Sequence, residues 1–157
     1  MKKIIIGNRD RNKKYDFRET CFGIVIKDGE IFCTQKNEEI SLIGGGIEEG
    51  ETHIDCLKRE FLEEAGCYIE GYKEFCTIDC FWVTREQKDM ESLANIYIVR
   101  ISEKIINPIE EGNKLVKIRM ENILEKLQLP YQRRAIEEYI KINYRFKYKR
   151  SKKCVKN

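Results

Sequence analysis

Apolar residues fall along this chain in short runs, broken by glycine and charge, and the runs change period at recognisable places. Cys21 to Ile26 is a β-branched and aromatic run that predicts a strand, with Asp28-Gly29 as a hairpin signal and Ile31 to Thr34 as the returning strand. Ser41 to Ile43 predicts another short strand, ended by Gly44-Gly45-Gly46, a run suited to unusual backbone conformations. The period then shifts to that of a helix. Thr52 can cap it, Asp55 can complete a capping box, Leu57, Phe61 and Ala65 form its buried stripe, and Gly66 stops it. Two longer strands follow, Cys67 to Val83 with an interruption and Ser92 to Ile101, joined by the polar stretch Thr84 to Glu91 as in a hairpin. Leu115 to Arg119 predicts a further strand and Glu121 to Leu127 a short helix. Pro130 opens a last helix to about Tyr144, with Ile136, Tyr139 and Ile140 inward. The first 16 residues show one short apolar run and no assignable element.

Strands outnumber helices and the best-marked helix lies mid-chain, an order that fits an α+β fold with a mixed sheet covered by helices. A length of 157 residues suits a single domain over 1–157, with a core over about 18–145. Nothing in it reads as a transmembrane span or a signal-peptide core, which predicts a cytoplasmic protein with no membrane partner. The seven cysteines are odd in number, form no C-x-x-C and mostly sit in apolar stretches, so they are expected to be reduced core thiols. The net charge of +3 is unevenly spread: residues 141–157 carry eight basic groups and no acid, which leaves residues 1–140 net acidic. That basic tail, over about 146–157, is expected to be solvated and partly frayed. Its interleaved Phe146 and Tyr148 keep contact with RNA open.

The chemistry concentrates between Gly45 and Cys67. Glu60, Glu63 and Glu64 stand at i, i+3 and i+4, on neighbouring parts of one helix face. Crowded carboxylates repel and raise one another's pKa unless a cation neutralises them. Hard oxygen donors select Mg²⁺, Mn²⁺ or Ca²⁺ over zinc, and Mg²⁺ commonly joins few carboxylates to substrate phosphates. Gly45 and Gly46 allow backbone to approach the same place, and Arg59 can hold a carboxylate through a forked hydrogen bond. An acidic helix face alone is usually just solvated. The glycines, Glu51 and the Arg59-Glu60 pair at fixed spacing weigh against that.

At these residues the chain resembles the Nudix hydrolase family, in its MutT-like form. The family box, G-x5-E-x7-R-E-U-x-E-E-x-G-U with U bulky and apolar, is filled by Gly45, Glu51, Arg59, Glu60, Glu63, Glu64 and Gly66. Phe61 takes the first U, where aliphatic residues are commoner, and Cys67 is a mild departure at the second. The resemblance implies an α/β/α sandwich and hydrolysis, with Mg²⁺ (Mn²⁺ substituting), of a diphosphate linkage in a nucleoside diphosphate-X substrate. It implies Glu60 and Glu64 as principal metal ligands and Glu63 as a further ligand or base. Glu51 would bind metal or orient water, the Gly45 carbonyl would ligate, and Arg59 would orient a glutamate. The expected partner is a small nucleotide. By analogy the default substrate is a nucleoside triphosphate, oxidised ones such as 8-oxo-dGTP included, because Phe81 to Thr84 carries neither the proline nor the tyrosine typical of ADP-ribose and diadenosine polyphosphate relatives. Two alternatives stand beside it: an RNA 5′-end pyrophosphohydrolase or RNA-associated module using the basic tail, and a nucleotide-binding protein without turnover. Outside the box, Trp82 is a candidate base-stacking residue, set against a core role. Glu111 is a candidate additional ligand or base, set against an ordinary loop acid, and His53 is expected at the surface.

Overall fold

Alternate residues of the central strands go to opposite faces of one mixed sheet, and this two-residue period creates two cores. The computed structural model describes the backbone of residues 1–153 and the side chains of residues 1–144. Its strands are β1 (Lys2–Ile6), β2 (Asp16–Ile24), β3 (Ile26–Lys27), β4 (Glu30–Lys36), β5 (Glu39–Gly46), β6 (Cys67–Val83), β7 (Asp89–Ile105) and β8 (Asn113–Arg119). The helices are α1 (His53–Ala65), α2 (Ile123–Lys126) and α3 (Pro130–Lys153). The sheet runs β1-β6-β7-β2-β5-β4-β3, with β8 also paired to β4. Among the described strands, β1 with β6 and β2 with β7 pair in parallel.

On one face, Phe22, Ile31, Leu42 and Ile96 pack with Ile123 of α2 and Tyr131, Ala135 and Ile136 of α3. On the other, their neighbours Cys21, Phe32, Ile43 and Tyr97 pack with Leu57, Phe61 and Ala65 of α1. The result is the α/β/α sandwich. Each fully buried large side chain contributes about 1.5–3 kcal/mol. Phe61, large for its place, is seated by a glycine: a Cβ at Gly23 of β2 would lie 2.5 Å from its ring.

The termini of α1 follow the sequence closely. Thr52 and Asp55 exchange both bonds of a capping box, and Gly66 stops the helix in the left-handed region at φ 65°. Six buried free cysteines, among them Cys21, Cys33 and Cys56, sit in the two cores, while Cys154 lies outside the described residues. Among the described residues no helix is long and apolar enough to cross a membrane.

Several boundaries differ from the sequence expectation, for reasons that lie far away in the chain. The N-terminal segment forms β1 because β6 offers it a parallel partner, Lys2 opposite Cys76 through Ile6 opposite Cys80. Strand β2 starts at Asp16 because β7 pairs with it from Met90 onward, and it breaks at Val25 rather than running to Ile26. The glycines lie within β5, where Gly46, Gly45 and Gly44 pair with Thr20, Cys21 and Phe22. The β6–β7 turn is shorter than expected: Thr84 and Lys88 close it, and β7 starts at Asp89. Helix α2 contracts to one turn, and α3 continues past Tyr144 to Lys153. The side chains of the basic tail, Phe146 and Tyr148 included, lie outside the described residues.

Candidate active site

Helix α1 meets the glycine end of β5, and the site is built from that contact. Arg59 is its organiser. The guanidinium grips both oxygens of Glu51, donates to Glu60 Oε1 at 2.9 Å and Glu63 Oε2 at 3.1 Å, and reaches the Gly46 carbonyl at 3.0 Å. Such forked, charge-assisted bonds are stronger than neutral ones and fix geometry. Glu51 is held further by the amide of Glu48 at 2.9 Å. Hydrogen bonds from Arg59 keep its carboxyl down at about 2, well below the usual carboxylate range.

The other glutamates are perturbed the opposite way. Burial, then the charge of Glu60, pushes Glu64 up to about 8, although the Gly44 amide donates to it at 3.3 Å. Burial also raises Glu60, against the pull of Arg59. The side chain of Glu63 is about a third exposed. A Cβ on Gly45 would meet Glu60 Oε1 at 2.5 Å, so glycine there lets the β5 backbone and a carboxylate share one corner. Buried, mutually repelling carboxylates beside a close-approaching backbone fit a hard divalent cation, which would relieve the repulsion. Among the described residues no three His, Cys, Asp or Glu side chains gather into a metal cage.

These carboxylates open onto a cleft of about 640 Å³. Its α1 side presents Glu60, Glu63 and Glu64. Its far side presents Arg18 and Phe22 of β2 and Tyr131 of α3. Phe22 and Tyr131 lie ring to ring at 5.9 Å. Gln132, almost fully buried, is fixed by the Leu42 amide and by Ser41 at 2.9 Å each.

Of the residues singled out from sequence, Gly45, Arg59, Glu60, Glu63 and Glu64 line this cleft, and Glu51 stands behind Arg59. Glu111 does not line it, whereas its neighbour Glu110 does, tied to Lys36 at 2.9 Å and to the Glu63 carbonyl through its amide at 2.8 Å. Trp82 is set apart: its indole N–H donates to Ser92 at 2.9 Å, and its ring packs behind Tyr131 at 6.4 Å. His53 is half-exposed, with Nδ1 3.0 Å from the Tyr97 hydroxyl and Nε2 3.1 Å from Glu19, off the cleft. Sequence reasoning missed Arg18 and Tyr131.

Comparison with known proteins bears on the same residues. The model of the NUDIX domain matches residues 18–139. No curated protein matches the chain. Among solved structures, the MutT protein of Bacillus halodurans is similar at TM-score 0.63 and 16% identity, over 76% of this chain and 80% of that one. The MutT NUDIX hydrolase of Burkholderia pseudomallei follows at TM-score 0.60 and 21% identity, over 78% and 97%. A NUDIX hydrolase from Nitrosomonas europaea gives TM-score 0.58 and 17% identity, over 79% and 88%.

Proposed function

Because the chain belongs to the NUDIX family of pyrophosphohydrolases, we propose that it uses Mg²⁺, with Mn²⁺ as a substitute, to cleave the diphosphate linkage of nucleoside triphosphates, oxidised ones such as 8-oxo-dGTP included. The observation that carries this reading is buried Glu60 beside half-buried Glu64 and Glu63 in one cleft that Arg18 also lines. Glu60 and Glu64 would hold the cation, with the Gly45 backbone against Glu60. When bound, the cation withdraws charge from the phosphate oxygens and makes water a better nucleophile. Glu63, the most accessible of the three glutamates, takes the proton of the attacking water or adds a ligand. Arg59 and Glu51 hold the glutamates in register, and the edges of the core rings Phe22 and Tyr131 close the far side of the cleft. The whole chain acts as one domain on a small nucleotide.

The test is a panel of nucleoside triphosphates, nucleoside diphosphate sugars and triphosphorylated RNA, with Mg²⁺ or Mn²⁺, reading monophosphate and pyrophosphate release. Metal-dependent release of both from a triphosphate is the expected result. Turnover of the RNA alone moves the substrate to RNA 5′ ends. Binding of nucleotides with no turnover of any substrate makes the protein a binding module, and equal rates without metal overturn the mechanism.

A further inference from the structure

Two arginines flank Gly46, and they are used differently. Arg59 reaches its carbonyl from α1 and is saturated by Glu51, Glu60 and Glu63. Arg18 comes from the cleft side: a Cβ built on Gly46 would lie 3.1 Å from its Nη2 and 3.2 Å from its Nε. Among the described residues no carboxylate pairs with Arg18 and no hydrogen bond holds it, although Glu48, Glu60 and Glu63 line the same cleft. Its charge does act on the Tyr131 hydroxyl, which sets the guanidinium close to the aromatic wall.

Position along the strand adds direction. Arg18, Thr20 and Phe22 alternate on β2 and all face the cleft, with Gly46 opposite Thr20 and Gly44 opposite Phe22. The row therefore runs from an aromatic end, where Tyr131 covers Phe22, to a cationic end about 13 Å further along the strand. The Arg18 side chain leans back over Gly46. Glu64 accepts from the Gly44 amide and Glu60 abuts Gly45, so the carboxylates and Arg18 meet one stretch of β5, and a phosphate chain bound there faces both.

Charge balance then selects among substrates. A diphosphate joined to a neutral sugar is nearly neutralised by one divalent cation. A triphosphate keeps residual negative charge after the same ion binds. Arg18, exposed and unpaired in a cleft otherwise rich in acid, is free to meet that residual charge, and guanidinium forks match phosphate oxygens. We propose that Arg18 is a substrate-binding residue that grips the phosphate chain opposite the glutamates and selects nucleoside triphosphates over diphosphates capped by a neutral group. The inference rests on the nucleotide reading of the cleft given above.

The experiment compares the wild type with Arg18→Gln and Arg18→Lys in the presence of Mg²⁺. Two readouts run in parallel: KM for a nucleoside triphosphate and for ADP-ribose, and calorimetric affinity for a non-hydrolysable imidotriphosphate and for ADP-ribose. Arg18→Gln should weaken the triphosphate and its imido analogue about tenfold or more, the scale of a lost charge-assisted bond, and change ADP-ribose less than about twofold. Arg18→Lys should recover part of the loss, as a point charge without the fork. Equal weakening of both ligand classes overturns the selectivity, and unchanged triphosphate affinity overturns the grip. If the wild type binds the imido analogue but turns nothing over, the hydrolase reading fails while the Arg18 comparison still decides by affinity. If it binds neither ligand, both fail.

Discussion

At the scale of single residues, Glu64 offers the sharpest test of the proposed cation. Its carboxyl is pushed up to about 8 by burial and by Glu60, so ionising it in the metal-free fold is costly. Replacing it with glutamine keeps the shape and removes a charged donor. The kcat/KM of Glu64→Gln should fall about 10²-fold or more, the scale of single electrostatic contributions to catalysis. Stability should move the other way. A group whose folded pKa is raised contributes stability below its unfolded value, near about 4.3, and loses it as pH rises through the folded value. With a chelator present, the wild-type melting temperature should therefore decline between about pH 4.5 and 8 more steeply than that of Glu64→Gln. Added Mg²⁺ should raise it more at pH 8 than at pH 5. A chelated wild type and variant with parallel pH profiles would mean that Glu64 ionises without penalty. This residue was legible in the sequence because its role needs fixed spacings to Glu60 and Arg59 on one helix. Arg18 was not, because one arginine on a strand acquires meaning only from what stands opposite, and Gly46 is distant in sequence. Between Glu110 and Glu111, the loop conformation decides which faces the cleft, and no local pattern reports it.

At the scale of elements, the packing of α1 on β2 turns on one exchange of volume. Phe61 fills a position where an aliphatic residue is commoner in the family box, and Gly23 makes the room. A methyl at Gly23 would lie 2.5 Å from the Phe61 ring and 2.9 Å from Val99. Gly23→Ala should destabilise by about 1–3 kcal/mol in urea unfolding, as overpacked cores do. Adding Phe61→Leu should recover much of that loss, since the two sites share one space and couple non-additively. Strictly additive losses would show that the helix accommodates the methyl elsewhere. The sequence marked both ends of α1 well, because capping by Thr52 and Asp55 and the stop at Gly66 are local devices. It misplaced the starts of β2 and β7, since Asp16 and Met90 extend each other through a parallel pairing that no local period reveals.

At the scale of the whole molecule, the two ends of the described chain are tied together. Lys2 on β1 reaches Glu138 on α3 at 2.7 Å, and Arg134 holds the other oxygen of Glu138 at 3.2 Å. The Glu138 side chain is only 3% exposed. Hydrogen bonding to Lys2 keeps its carboxyl below the usual range. The stability this supplies is present above the unfolded carboxylate value and lost as pH falls through the lower folded one. Glu138→Gln should cost about 1–2 kcal/mol at pH 7, reduced from the buried-pair scale because Lys2 is half-exposed to solvent. The gap to wild type should close in acid, below about pH 4. A gap independent of pH would assign the loss to shape rather than charge. The sandwich itself was foreseeable from its strand and helix order, but β1 was not, since its partner β6 begins at Cys67. That edge strand has a consequence in time. A ribosome makes β1 well before its neighbour β6, and its anchor Glu138 later still. The strand therefore has no sheet to join until β6 is out, and the tie to α3 closes after both.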